Sequence, residues 1–361
     1  MAAGLSACVA SSRASAYAAA VRGTWHGTGI PPADMTAAHR EVVRYATLAP
    51  NNHNTQPWKF RIVDGRLLLG PDLARRTPVV DPDNHHLFVS LGCAAENARL
   101  AAGALGMGGE VDYRPEEGGG LAIDLARGPS TPSILFDAIP QRESTRELYD
   151  GKMPPTAHLA ALARCAGDLG VDILMLTERR RIESIAELVV EANGMQMADP
   201  AFMRELKRWI RFDEPEAMRT RDGLFVGCTG NPSLPRWLAA PLFDLFVTAR
   251  SESARYARQI RSSGGVAVLA GEGGGPRQWA AVGRACERFL LQATALGLRS
   301  AFVNQPVEVP AVRDQLARHL GVAPRRPDLV LRFGYGPPIT RSLRRPVEQV
   351  LCHADEGSLD R

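Results

Sequence analysis

The spacing of apolar positions predicts a mixed helix and strand protein. From Met35 to Leu48 the apolar residues Val42, Val43, Tyr45, Ala46 and Leu48 recur at helical spacing behind a possible cap at Thr36, and Pro50 stops the pattern. Two short runs, Phe60 to Val63 and Arg66 to Leu69, flank Asp64-Gly65, a hairpin turn signal. A long run of small apolar residues follows. It opens at Asp83 or Asn84, ends at Gly106, and predicts a buried helix. Val111 to Ala126 reads as a second hairpin or a meander with its turn at 118–120. Further on, helices are expected near His158 to Cys165 and Arg181 to Glu191, around a strand from Val171 to Leu176. Val266 to Leu269, Pro276 to Leu296 and Leu329 to Phe333 read as strand, long helix and strand. Residues 200–246 show no clean period, carry Trp209, Trp237 and several arginines and prolines, and suit a lid or interface loop.

An internal repeat organises these elements. Residues 91–106 align without a gap on residues 282–297, with eight of sixteen positions identical, among them Gly92/Gly283, Glu96/Glu287 and Gly106/Gly297. The small residues would let two such helices approach closely. The expected architecture is one chain of two similar halves about a pseudo-twofold axis, imitating a symmetric homodimer. The expected division is a flexible tail or remnant of an export signal over 1–34, a first lobe over 35–138, and a second over 139–361 with the insertion near 200–246.

Composition narrows the function classes. The 361 residues are 45% hydrophobic and 23% charged, with a net charge of +4 that gives no reason to expect a nucleic-acid partner. Six cysteines lack CxxC spacing, which points away from a zinc knuckle or redox dithiol. No run of eighteen apolar residues exists, so no integral membrane segment is expected. Leu5-Ser6-Ala7-Cys8 has the form of a lipoprotein processing box without the basic and apolar segments that should precede it. The chain as given is expected in the cytoplasm, and exported or lipid-anchored only if an upstream signal has been lost.

Three stretches could carry chemistry. Pro50-Asn51-Asn52-His53-Asn54-Thr55-Gln56-Pro57-Trp58 is dense in amides that could read a flat, heteroatom-edged ligand or bond their own backbone. Arg142-x-Ser144-x-Arg146 sets two guanidiniums about a hydroxyl, a pattern suited to a phosphate. Arg344-Arg345 repeats the theme near the end of the chain. Gly271 to Pro276 fails the dinucleotide-loop spacing. His85-His86 reads as an exposed pair at a helix start rather than a metal site.

In this order the motifs resemble those of the nitroreductase-like flavoproteins, in particular a fused, two-lobed subfamily of Acg type. The similarity runs from about Met35 to Leu351. It implies an α+β, duplicated nitroreductase-like fold around long central helices, with one FMN site between the lobes. Asn51, Asn52, Asn54 and Gln56 would contribute one wall, and Arg142, Ser144, Arg146, Arg344 and Arg345 the phosphate end. Asn304 and Gln305 would lie at the ring edge. Asn51 and Asn52 stand where the family carries two serines. The implied activity is hydride transfer from NAD(P)H through FMN to a small acceptor, with no obligatory catalytic side chain. The alternatives are a flavin-storing protein without turnover and an interaction module that has lost its cofactor.

Overall fold

A computed structural model describes residues 16–26, 32–117 and 120–352. The Leu5–Cys8 motif and the centre of the 118–120 turn lie outside these residues.

Two sheets with the same strand order flank a pair of long helices. In the first, Trp58–Val63, Arg66–Pro71, Gly120–Asp124 and Val111–Arg114 lie side by side, all antiparallel. In the second the sequence is Val171–Leu176, Gly265–Gly271, Leu329–Gly334 and Arg299–Phe302, again antiparallel throughout. Each sheet thus takes its strands in chain order 1-2-4-3. In each, the long helix sits between the second and third strands in the chain: His85–Ala104 in the first half and Pro276–Ala295 in the second. The repeat seen in sequence is a repeat of topology. The chain then crosses back, and Leu351–Cys352 adds to the first sheet parallel to Trp58–Val63, with Phe60 opposite Leu351.

The long helices cross where both backbones are bare. A Cβ on Gly92 would stand 2.0 Å from the Ala280 carbonyl oxygen, and one on Gly283 would stand 2.0 Å from that of Val89. The first helix is buried along nearly its whole length, which explains its weakly amphipathic sequence. Its N-terminus is held by Asp81, whose carboxylate accepts from the His86 and Leu87 amides at 2.9 and 3.0 Å. Asn84 precedes it in a left-handed conformation and makes no side-chain cap bond. Asp34, rather than Thr36, caps Met35–Thr47.

Three expectations are corrected by the structure. His85 and His86 are buried, not exposed. His85 Nε2 lies 2.9 Å from Asp328 Oδ1, and Asp328 also accepts from the Gly271 amide, so the pair ties the first long helix to the second sheet. Residues 200–246 are ordered as Pro200–Trp209, Glu214–Thr220 and Arg236–Phe246, with a small parallel pair, Ile210–Arg211 and Leu224–Phe225. These helices are short, of seven to eleven residues, and open on Asp199, Asp213 and Pro235. Lastly, residues 16–26 form a helix with Tyr17 and Trp25 buried, inside the stretch expected to be a loose tail.

Candidate functional site

The amide loop sits at the end of helix Met35–Thr47 in an unusual backbone. His53, Asn54 and Gln56 have φ values of 47°, 52° and 53°, three non-glycine residues in the left-handed region within four positions. Such a conformation persists only where its surroundings fix it, and here the amides do so. Asn51 Oδ1 accepts from the Gln56 amide at 2.8 Å. Asn54 Nδ2 donates to the Gly223 and Leu343 carbonyls, and Gln56 Nε2 to that of Arg221 at 2.8 Å. Gln56 Oε1 accepts from the Arg345 amide at 2.8 Å.

Two adjoining cavities open from this loop. The smaller, about 100 Å³, is bordered by Asn51, Asn54, Arg142, Ser144, Arg146 and Arg344. The larger, about 460 Å³, shares Asn51 and Arg146 with it and adds Asn52, His53, Asn304 and Gln305. Its other wall is apolar, with Phe202, Leu206, Phe212 and Phe243 contributed by residues 200–246. The structure therefore brings together nine of the eleven residues singled out in the sequence. Gln56 and Arg345 border neither cavity. Gln56 is fully buried against protein partners. Arg345 is held by the Gln56 and Gln349 carbonyls and lies 3.6 Å from Asp72.

The arginines divide by what they bond. Arg344 is committed to the fold: it donates to the Thr47, Leu48 and Ala49 carbonyls, the free end of a helix, and to Asn54 Oδ1 at 3.0 Å. Burial, with Arg142 nearby, lowers its pKa to about 9. Arg142 gives Nη2 to the Leu48 carbonyl at 2.9 Å, while its buried Nε has no hydrogen-bond partner. Arg146, between the two cavities, makes no side-chain hydrogen bond or ion pair among the described residues, and burial lowers its pKa. Ser300 Oγ and Gln305 Oε1 are likewise buried without partners. Arg142, Arg146 and Gln305 border the cavities, and their unbonded groups are what an anionic, heteroatom-rich ligand would satisfy.

Trp25 was not among the residues singled out from the sequence. Its Nε1 donates to the Ser342 carbonyl at 3.0 Å, and its ring faces the guanidiniums of Arg344, Arg341 and Arg142 at 5.1, 5.3 and 5.6 Å. One indole thus closes the small cavity and offers a shared π face to three like charges. Trp25→Phe keeps an aromatic ring but is smaller, removes the hydrogen bond and weakens that face. It is expected to cost about 1–2 kcal/mol in a urea denaturation series, and an unchanged midpoint would assign Trp25 to packing alone.

The chain aligns with two mycobacterial proteins over most of their length. "Putative NAD(P)H nitroreductase Rv3131" of Mycobacterium tuberculosis H37Rv is 27% identical over 330 residues, 88% of this chain and 92% of that protein. "Putative NAD(P)H nitroreductase acg" of the same strain is 22% identical over 86% of this chain and 94% of its own. The chain is a homologue of these Acg-type proteins. No family model matches it. Among solved structures, the FMN-dependent nitroreductase NfnB of Mycobacterium smegmatis, in complex with NADPH, is similar over 58% of this chain and 94% of its own, at 17% identity and a TM-score of 0.37. A nitroreductase with bound FMN from Bacteroides fragilis covers 60% and 96%, at 18% identity and a TM-score of 0.35.

Proposed function

We propose that this protein is an FMN-dependent oxidoreductase of the nitroreductase type, taking electrons from NAD(P)H. The observation that carries the reading is the pair of joined cavities with Arg146, unpartnered, at their junction. Its homologues bear NAD(P)H nitroreductase names. Arg142, Ser144 and Arg146 would hold the phosphate in the small cavity. Asn51, Asn52, His53, Asn304 and Gln305 would border the flavin ring in the large one. Arg344 would act behind them, fixing the loop.

When bound, the flavin would supply two-electron transfer between a nicotinamide and an acceptor. The protein's part is to orient the cofactor and to control water. His53 suits that role as a neutral group, because burial and the nearby Arg146 lower its pKa to about 4. Residues 200–246 form the apolar wall opposite the polar floor, so they would act as the lid that decides which acceptors reach the ring. A flavin-storing protein would use the same wall to exclude acceptors altogether. Anaerobic addition of NAD(P)H to the flavin-loaded protein separates the two: bleaching of the flavin band supports an enzyme, and an unbleached band supports storage.

Arg146→Ala tests the site itself. The loss of one charge-assisted partner of a phosphate is expected to weaken FMN binding by about 1.5–3 kcal/mol, roughly 10- to 150-fold. Quenching of flavin fluorescence on titration measures it. Affinity equal to the wild type would remove Arg146 from the phosphate site.

A further inference from the structure

Beyond the residues assigned to the cofactor, the large cavity holds a carboxyl group without a cation. Glu308 ends the short helix Gln305–Glu308, and two other helices converge on it. Gln196, from helix Arg179–Ala198, donates Nε2 to Glu308 Oε2 at 2.7 Å. His86, at the start of the first long helix, places Nε2 3.5 Å from Glu308 Oε1. All three border the cavity, as does Gln305, whose buried Oε1 has no partner. Among the described residues no arginine or lysine forms an ion pair with Glu308.

We propose that Glu308 is the proton-exchanging residue of this cavity, giving its carboxyl proton to a ligand atom that gains an electron pair there, with His86 as the group through which the proton is restored.

A carboxyl group inside the protein whose neighbours are an amide and an imidazole has little to stabilise its charge. Burial accordingly pushes its pKa up to about 7, against the Gln196 hydrogen bond and with help from the nearby Asp81 charge. The charges on neighbouring elements act mainly on His86. Burial, then His85, Arg326, His53 and Arg313, lower its pKa well below the usual imidazole value and keep it neutral. Arg326 is itself paired with Asp83, and Arg313 donates to the Val307 carbonyl. A neutral imidazole can take a proton at one ring nitrogen and release one from the other.

The transfer balances for an acceptor with a polarised double bond. A hydride, carrying two electrons, adds to one atom of the bond, and the bonding pair moves to the other. The Glu308 O–H bond breaks, the new bond to hydrogen forms on that second atom, and a carboxylate remains until His86 delivers a proton from solvent. The reductant is the reduced flavin of the proposed function, on which this step rests. The protonation state of Glu308 does not rest on it.

Infrared difference spectra of the flavin-free protein test the proton. Wild type is expected to show the carbonyl intensity of two buried carboxylic acids, Glu308 and Glu287, that vanishes as pH rises through about 7. Glu308→Gln, close in shape and able to bond Gln196, is expected to lose the Glu308 part of that intensity, seen in the wild-type-minus-variant difference, with an unchanged melting temperature. No titrating band in wild type, or titrating intensity in the variant equal to that of wild type, overturns the proposal. With flavin loaded, oxidation of the reduced protein by an acceptor is expected to slow at least about 100-fold in Glu308→Gln, while flavin affinity stays the same. The wild-type rate is expected to fall as pH rises past about 7 and the variant rate to be flat. Equal rates and pH profiles would overturn the transfer role even where the band is present. A wild type that binds no flavin would overturn the functional reading and the transfer step with it, while the band would still locate the proton.

Discussion

Replacing Gly283 by alanine is expected to destabilise the protein by about 3 kcal/mol or more, above the usual range for an added methylene. In the interior of a helix this exchange normally gains about 0.5–1 kcal/mol, because alanine has less chain entropy to lose. Here the sign reverses. The new Cβ would stand 2.0 Å from the Val89 carbonyl oxygen and 2.9 Å from the Gly92 Cα, and all of these are backbone atoms in rigid helices. No rotamer change relieves the contact, so the two long helices must separate and the core between them loosens. Gly92→Ala meets the Ala280 carbonyl at the same 2.0 Å and is expected to behave alike. Gly194 is the control. It lies within helix Arg179–Ala198 with open space about its Cβ position, and its alanine variant should be neutral or slightly stabilising. Urea midpoints for the three variants decide the matter, and a Gly283→Ala midpoint at or above wild type would show that the helices do not cross in contact.

Those glycines were legible in the sequence because the constraint on them is local and repeated. A position that admits no side chain leaves a glycine in both copies, and the alignment of residues 91–106 with 282–297 carried both. Strands such as Val171–Leu176 were legible for a similar reason, as a run of apolar residues paired along a central strand. What the sequence concealed depends on partners distant in the chain. Nothing near residue 25 announces that a tryptophan will face arginines from positions 142, 341 and 344. The histidine pair read as exposed because adjacent polar residues at a helix start usually are. Asp328, more than two hundred residues away, makes the buried arrangement tenable for His85.

The site divides along the same line. The amide loop stood out by composition, yet composition could not say which way each amide faces. Asn52 borders the large cavity, whereas Gln56 is turned inward to satisfy the Arg221 carbonyl and the Arg345 amide. The arginine triplet was legible as an anion pattern. It lies outside any helix, with Ser144 bridged to Ser300 at the edge of the second sheet. Glu308, Gln196 and His86 are invisible as a group because they come from three separate helices.

The second large effect is expected at Glu96, and it shows how the duplication became asymmetric. Glu96 and Glu287 occupy equivalent positions in the two long helices, and both are fully buried. Glu96 receives Arg99 at 2.7 Å from its own helix and Arg284 and Arg288 at 2.9 Å from the other. The positions equivalent to Arg284 and Arg288 in the first helix are Cys93 and Asn97, so Glu287 receives no such pair. Its cation is Arg142, with Nε 3.8 Å away, a residue of the small cavity. Burial alone would raise both carboxyl groups. The three arginines instead hold Glu96 down to about 2, while Glu287, opposed chiefly by Arg142, is pushed up to about 7. Glu96→Ala would leave three converging guanidiniums without an anion and is expected to cost about 3–5 kcal/mol at neutral pH. Glu287→Gln removes a carboxyl group that is costly to ionise and is expected to cost far less. The pH dependences run in opposite directions. The contribution of Glu96 is present above its unfolded pKa of about 4.5 and is lost as pH falls through about 2. That of Glu287 is present below about 4.5 and is lost as pH rises through about 7, so Glu287→Gln should flatten the stability profile over that interval. Equal losses for the two variants at neutral pH would refute the asymmetry. Unequal losses in the stated order would identify Glu96 as the fully paired carboxylate and Glu287 as the one whose single cation, Arg142, belongs to the small cavity.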